Sequence, residues 1–104
     1  MLTPDIAKYA YYEYDPVKDL KLRLDRGIGF EDVIKILRSD RPIKGGKHPN
    51  AEKYPNQYVY EVEIEGYMYI IPFVADGKKA FLKTIFPSRK ATKMHKGDDH
   101  EKRK

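Results

Sequence analysis

The sequence predicts an α+β domain in which two N-terminal helices pack on an antiparallel sheet of three to four strands. Three observations predict it. Apolar residues recur with a helical period between residues 16 and 39, and with the period of two expected of strands between residues 57 and 86. Two glycine-containing turns, Glu65-Gly66 and Asp76-Gly77, fold that second stretch back on itself. At 104 residues the chain is large enough for one modest core and too short for two. Residues 1–95 are therefore read as one domain and 96–104 as a basic, flexible tail.

Asp15-Pro16 opens the first helix. Asp suits the N-cap, Pro suits the first helical position through its fixed φ, and Val17, Leu20 and Leu24 share one face. Gly27 ends it. In Ile28-Gly29-Phe30-Glu31-Asp32-Val33 the acids fall in a first turn and Ile28 is spaced to staple against Val33. Phe30, Val33, Ile34 and Leu37 then predict a second helix over roughly residues 30–39.

Residues 40–56, DRPIKGGKHPNAEKYPN, carry three prolines and two glycines and predict a loop of about 15 residues. Strands are predicted over Gln57–Glu65, Tyr67–Val74 and Ala80–Phe86, and the AKYAYYEY run is read as a short additional strand. With two-residue turns, one face collects Tyr58, Tyr60, Val62, Ile64, Tyr67, Tyr69, Ile71, Phe73, Ala80, Leu82, Thr84 and Phe86. Val59, Glu61, Glu63, Met68, Ile70, Pro72, Val74, Phe81, Lys83 and Ile85 form the other. Both faces are rich in apolar area, so the helices are expected to cover one and leave part of the other for a partner or substrate. Pro72 cannot donate to a ladder and predicts a bulge or an unpaired position.

The net charge of +5 is unevenly placed. Residues 89–104 hold seven Lys or Arg against three acids, whereas the remaining 88 residues hold 14 basic and 13 acidic side chains. Attraction for phosphate is therefore expected at the C-terminal end and not over the whole body. The absence of cysteine excludes disulfides, thiol nucleophiles and thiolate metal sites, and suits a reducing cytoplasm. No stretch approaches the roughly 20 apolar residues of a membrane span, and a soluble cytoplasmic protein is expected.

Neither a Ser-His-Asp order nor zinc-ligand spacing is present, and Gly45-Gly46-Lys47 lacks the upstream glycine and following hydroxyl of a phosphate-binding loop. No cofactor or metal is expected. What remains suits phosphodiester chemistry, which needs a base for the 2′-hydroxyl, a cation for the phosphorane and an acid for the leaving 5′-oxygen. Arg89 is the candidate cation, because a guanidinium meets phosphate oxygens in bidentate fashion and stays charged. Lys83 and Lys93 are supporting cations and Lys90 an RNA-binding candidate, while Tyr54, Tyr58 and Tyr60 are candidates to donate protons or stack on bases. His48 and Glu61 are candidate bases. Each also has a plainer reading: cations closing a sheet, a cross-strand charge pair at Lys83, tyrosines of core and rim, and a loop histidine.

Three segments resemble the BrnT-type toxins of bacterial type II toxin–antitoxin systems, within the RelE-like ribonuclease superfamily. Tyr14-Asp15-Pro16-Val17-Lys18 resembles that family's Trp/Tyr-Asp-Pro-x-Lys, and Arg26-Gly27-Ile28-Gly29-Phe30-Glu31-Asp32-Val33 is similar to its His/Arg-Gly-Ile-Ser-Phe-Glu-Asp/Glu-Val/Ala. Ile85-Phe86-Pro87-Ser88-Arg89-Lys90-Ala91-Thr92 resembles its Ile-Ile-Ser-Ala-Arg-Lys-Ala-Thr ending. Gly29 stands where the family has Ser, and Thr84 stands where it commonly has Arg, so Arg89 is the cation matched residue for residue. The resemblance implies a helix pair on an antiparallel sheet and metal-independent RNA cleavage that inhibits translation, acting on RNA that includes ribosome-associated mRNA. It also implies neutralisation by a ribbon-helix-helix, CopG-like antitoxin, with operator DNA bound only through that antitoxin. The alternative is a small non-catalytic module that holds RNA or protein through its basic end.

Overall fold

The structure, a computed structural model, describes residues 9–39, 43–48, 50 and 52–95, the last two by backbone alone. The expected basic tail, residues 96–104, lies outside the described residues. The chain runs β1 (Tyr11–Glu13), α1 (Pro16–Arg26), α2 (Phe30–Leu37), β2 (Lys44–Lys47), β3 (Gln57–Ile64), β4 (Tyr67–Asp76), β5 (Lys79–Leu82), β6 (Phe86–Pro87) and α3 (Arg89–His95). The α+β class is as the periodicities predict. Three helices accompany one mixed sheet of order β1-β5-β4-β3-β2, in which β6 pairs β4 and β1 runs parallel to β5.

Local chemistry accounts for both N-terminal helices. The Asp15 carboxylate accepts a hydrogen bond from the Val17 N–H (3.0 Å), Pro16 occupies the first turn, and Gly27 closes α1 in the left-handed region at φ +75°. Tyr14 ties the entrance of α1 to α2, donating its hydroxyl to Glu31 (2.6 Å) and stacking on Phe30 at 4.9 Å between ring centroids.

One sheet face carries the core. Phe30, Val33, Ile34 and Leu37 of α2, with Leu22 of α1, bury Tyr60, Val62, Ile71, Phe73, Leu82 and Ile85. Each fully buried large side chain contributes about 1.5–3 kcal/mol. The apolar stripe of α1 behaves differently from its spacing. Val17, Leu20 and Leu24 are 70%, 58% and 77% exposed, and Leu22 is the helix's buried residue. The helix docks through Leu22 and a polar anchor, Asp19, so the stripe faces water.

Two further expectations are corrected. Gly45-Gly46 was expected in a loop but lies in the edge strand β2, whose Lys44–Lys47 pairs with Glu61–Tyr58 of β3. Tertiary pairing overrides the weak strand propensity of glycine, and the flanking lysines suit an edge. The predicted third strand over residues 80–86 is also not continuous. The Lys83 N–H donates to the Pro72 carbonyl (2.8 Å), and the next paired residue is Phe86, opposite Ile70. Three steps of chain thus oppose two of β4, which is a one-residue bulge at Thr84-Ile85. Pro72 has no N–H to return the bond at the Lys83 pair, and the ladder breaks there. The bulge turns Ile85 into the core at 1% exposure and Phe86 outward at 40% exposure, the reverse of uninterrupted alternation.

The remaining face of the sheet carries half-buried Val59, Ile70, Pro72 and Val74 beside exposed Phe81 and Lys83. Among the described residues no helix is long and apolar enough to cross a membrane.

Candidate functional site

The basic end of the chain is built outward from β4. Ser88 N–H donates to the Met68 carbonyl (2.9 Å), and the Ser88 hydroxyl oxygen then accepts the Ala91 N–H (3.0 Å), capping α3. One turn later Thr92, 8% exposed, completes the anchor. Its Oγ1 accepts the Met68 N–H (2.9 Å) and donates to the Ser88 carbonyl (2.8 Å). A side chain thereby replaces the next strand residue and satisfies a buried donor that would otherwise be orphaned.

This anchor sets which way the cations face. At about 100° of helix per residue, Arg89, Lys90 and Lys93 fall within one arc of about 100°. All three are exposed. Lys83 is exposed as well, but its partner Pro72 lies four residues along β4 from Met68, a separation of about 13 Å at the usual strand rise.

The other candidates lie elsewhere. His48 follows β2, its Nδ1 accepting the Asn50 N–H (2.9 Å) and its ring 4.7 Å from that of Tyr54. Tyr58 pairs with Lys47 on one side and with Phe73 on the other. This group is therefore displaced from α3 by about 17 Å along β4 and by two strands across the sheet. Tyr60 is in the core, 0% exposed and stacked on Phe73 at 4.3 Å. Burial, with a hydrogen bond to Tyr12, pushes its hydroxyl far above the ordinary tyrosine range. The structure thus brings Arg89, Lys90 and Lys93 together, sets Lys83 apart, groups His48 with Tyr54 and Tyr58 at the far end, and encloses Tyr60. By register, Glu63 (opposite Met68) and Glu61 (opposite Ile70, which pairs with Phe86) lie nearer to α3 than His48 does.

One feature of this corner escaped the sequence. A groove of about 330 Å³ opens between the end of α1 and the β3–β4 turn, lined among others by Arg26, Asp32, Ile64, Glu65, Tyr67 and Tyr69. Glu65 occupies the turn in the left-handed region (φ 52°), ahead of Gly66 at φ 85°. Tyr69 is the strand partner of Pro87, two residues before Arg89, so groove and basic helix share one corner of the sheet. In sequence Arg26-Gly27 and Glu65-Gly66 are ordinary turn punctuation about 40 residues apart. Nothing along the chain signals that they meet.

Comparison with known proteins is sparse. No protein-family model matches the chain, and no solved structure matches it. A segment of 48 residues is 42% identical to vacuolar protein sorting-associated protein 70 of Saccharomyces cerevisiae, covering 46% of this chain and 6% of that protein.

Proposed function

We propose that the protein is the toxin of a type II toxin–antitoxin system, an endoribonuclease that cleaves RNA without a metal ion, inhibits translation and is neutralised by a ribbon-helix-helix antitoxin. The observation that carries this reading is the grouping of Arg89, Lys90 and Lys93 on one exposed face of α3, a helix pinned to the sheet by Ser88 and Thr92. The RelE- and BrnT-like resemblance of the sequence points to the same arginine.

In this mechanism the RNA 2′-hydroxyl attacks the adjacent phosphorus to form the 2′,3′-cyclic phosphate, and the P–O5′ bond breaks as the leaving 5′-oxygen takes a proton from water. Arg89 meets two nonbridging oxygens of the phosphorane, while Lys90 and Lys93 hold neighbouring phosphates. Glu61 takes the 2′-hydroxyl proton in preference to His48, because its sheet row lies closer to α3. Incubation of the protein and of Arg89→Ala with RNA, free and on translating ribosomes, in EDTA tests the reading. Wild-type cleavage that the variant loses by about 10²-fold or more supports it. Equal cutting by both, or no cutting by the wild type, refutes it.

A second reading has its own observation, the distance of His48 from Arg89: a module that binds RNA or protein through α3 without cleaving. Products ending in a 2′,3′-cyclic phosphate separate the two. Salt-sensitive binding without products favours the module.

A further inference from the structure

We infer that the groove between Arg26 and Tyr69 is a base-reading subsite for single-stranded RNA, and that the base it accepts is guanine. The inference rests on the RNA-directed reading above and adds to it the nucleotide that is recognised.

Polar groups converge in this groove and stay uncommitted. Arg26 and Glu65 carry opposite charges and line the same groove, yet among the described residues neither makes an ion pair. Tyr67 and Tyr69, half-buried, stand edge to face at 6.0 Å between ring centroids and supply an aromatic wall. The volume of about 330 Å³ lies at the small end of the range for small-molecule sites. A ligand for this set needs a flat body for the rings, donors for a carboxylate and acceptors for a guanidinium.

A nucleobase has the flat body, and stacking on aromatic side chains is the usual way that unpaired bases are held. Guanine alone among the four offers two adjacent N–H donors on one edge and two acceptors on another. An ionised carboxylate is acceptor-only and an arginine donor-only, so Glu65 fits the first edge and Arg26 the second. Uracil meets Glu65 with a single donor flanked by carbonyls that repel it. Continuity of the chain adds to this: Tyr69 is paired with Pro87, two residues before Arg89, so a base held in the groove lies beside the strand that leads into the cationic helix.

The test measures binding without cleavage. Labelled 2′-O-methyl uridine hexamers carrying a single central G, A, C or U are titrated against the full chain by fluorescence anisotropy, because the blocked 2′-oxygen prevents internal attack. The wild type is expected to prefer the G hexamer by about tenfold, the scale of one bidentate contact. Glu65→Gln, at an exposed turn, is expected to abolish that preference, and Tyr69→Ala to weaken binding of all four hexamers by about tenfold. Arg89→Ala should weaken all four equally, flatten the salt dependence and keep the preference for G.

Absence of a preference in the wild type, or an undiminished preference in Glu65→Gln, overturns the inference, and Tyr69→Ala binding like wild type overturns the aromatic wall. If the groove behaves as expected while native RNA in EDTA stays intact, the subsite stands and the ribonuclease reading falls. Arg89-dependent cleavage with groove variants that bind like wild type leaves the ribonuclease reading and removes this one.

Discussion

Asp19 on α1 caps α2: its Oδ1 accepts the Phe30 N–H at 2.7 Å across 11 residues of chain, while its Oδ2 holds Arg23 Nε at 3.1 Å. The helix start is thus satisfied from a neighbouring helix, and the residue at the cap position itself needs no side chain. Asp32 closes the same turn by accepting the Gly29 N–H at 2.9 Å.

Removing that cap should be costly. Asp19→Ala is expected to lower stability by about 1–2 kcal/mol in chemical denaturation, with Asp19→Asn recovering part of the loss.

The same contact inverts the usual advice about Gly29. Serine is ordinarily the better N-cap, but a Cβ here would lie 2.5 Å from Arg23 Cζ and 2.6 Å from Asp19 Oδ1. Gly29→Ser is therefore expected to destabilise the fold, and Arg23→Ala in the same chain to restore part of the loss. Thermal melts of the two variants decide it.

Thr92 anchors the cationic helix, and its effect should reach function without touching the cations. Thr92→Val leaves the buried Met68 N–H unsatisfied, a cost of about 1–3 kcal/mol. Faster exchange of the Met68 amide is the expected signature, together with weaker RNA binding and restoration by Thr92→Ser.

Tyr14 supplies a pH signature. Its hydrogen bond to Glu31, assisted by burial and the nearby carboxylates, raises its pKa from 10.0 to about 12. The folded state favours the protonated phenol, so this contribution is whole below pH 10 and is lost as pH rises toward 12. Ultraviolet titration should show a tyrosinate transition near pH 12, ahead of the enclosed Tyr60, that is moved down by Glu31→Gln and absent in Tyr14→Phe.

Burial separates residues that look alike in sequence. Tyr60→Phe should leave any RNA cleavage within about twofold, because its ring is enclosed in the core. Leu22→Ala should cost about 2–4 kcal/mol, whereas Leu24→Lys, at 77% exposure, should stay within about 0.5 kcal/mol. Urea titrations of the set compare them directly.

Much of the fold was legible because it is local. Asp15-Pro16, Gly27 and the Glu65-Gly66 turn announce themselves through their own backbone requirements, and α2 through one strongly periodic face. The candidate site was legible only in part. Arg89, Lys90 and Lys93 are close in sequence and stay together on α3, but the spacing of His48 and Tyr60 says nothing of distance or burial. Lys83 could be placed on the outer face from alternation alone, whereas Ile85 and Phe86 were misplaced because one inserted residue exchanges the faces of everything after it.

By itself, then, the sequence determined the α+β class, the ends of the first two helices, the β3–β4 hairpin and the concentration of charge behind Pro87. Only the tertiary structure decided that the stripe of α1 faces water, that the glycines of Lys44–Lys47 form an edge strand, and that Arg26, Glu65, Tyr67 and Tyr69 surround one groove. The physical reason is range. Caps, turns and periodicity are settled within a few residues, whereas burial and convergence depend on which partners the whole chain brings together.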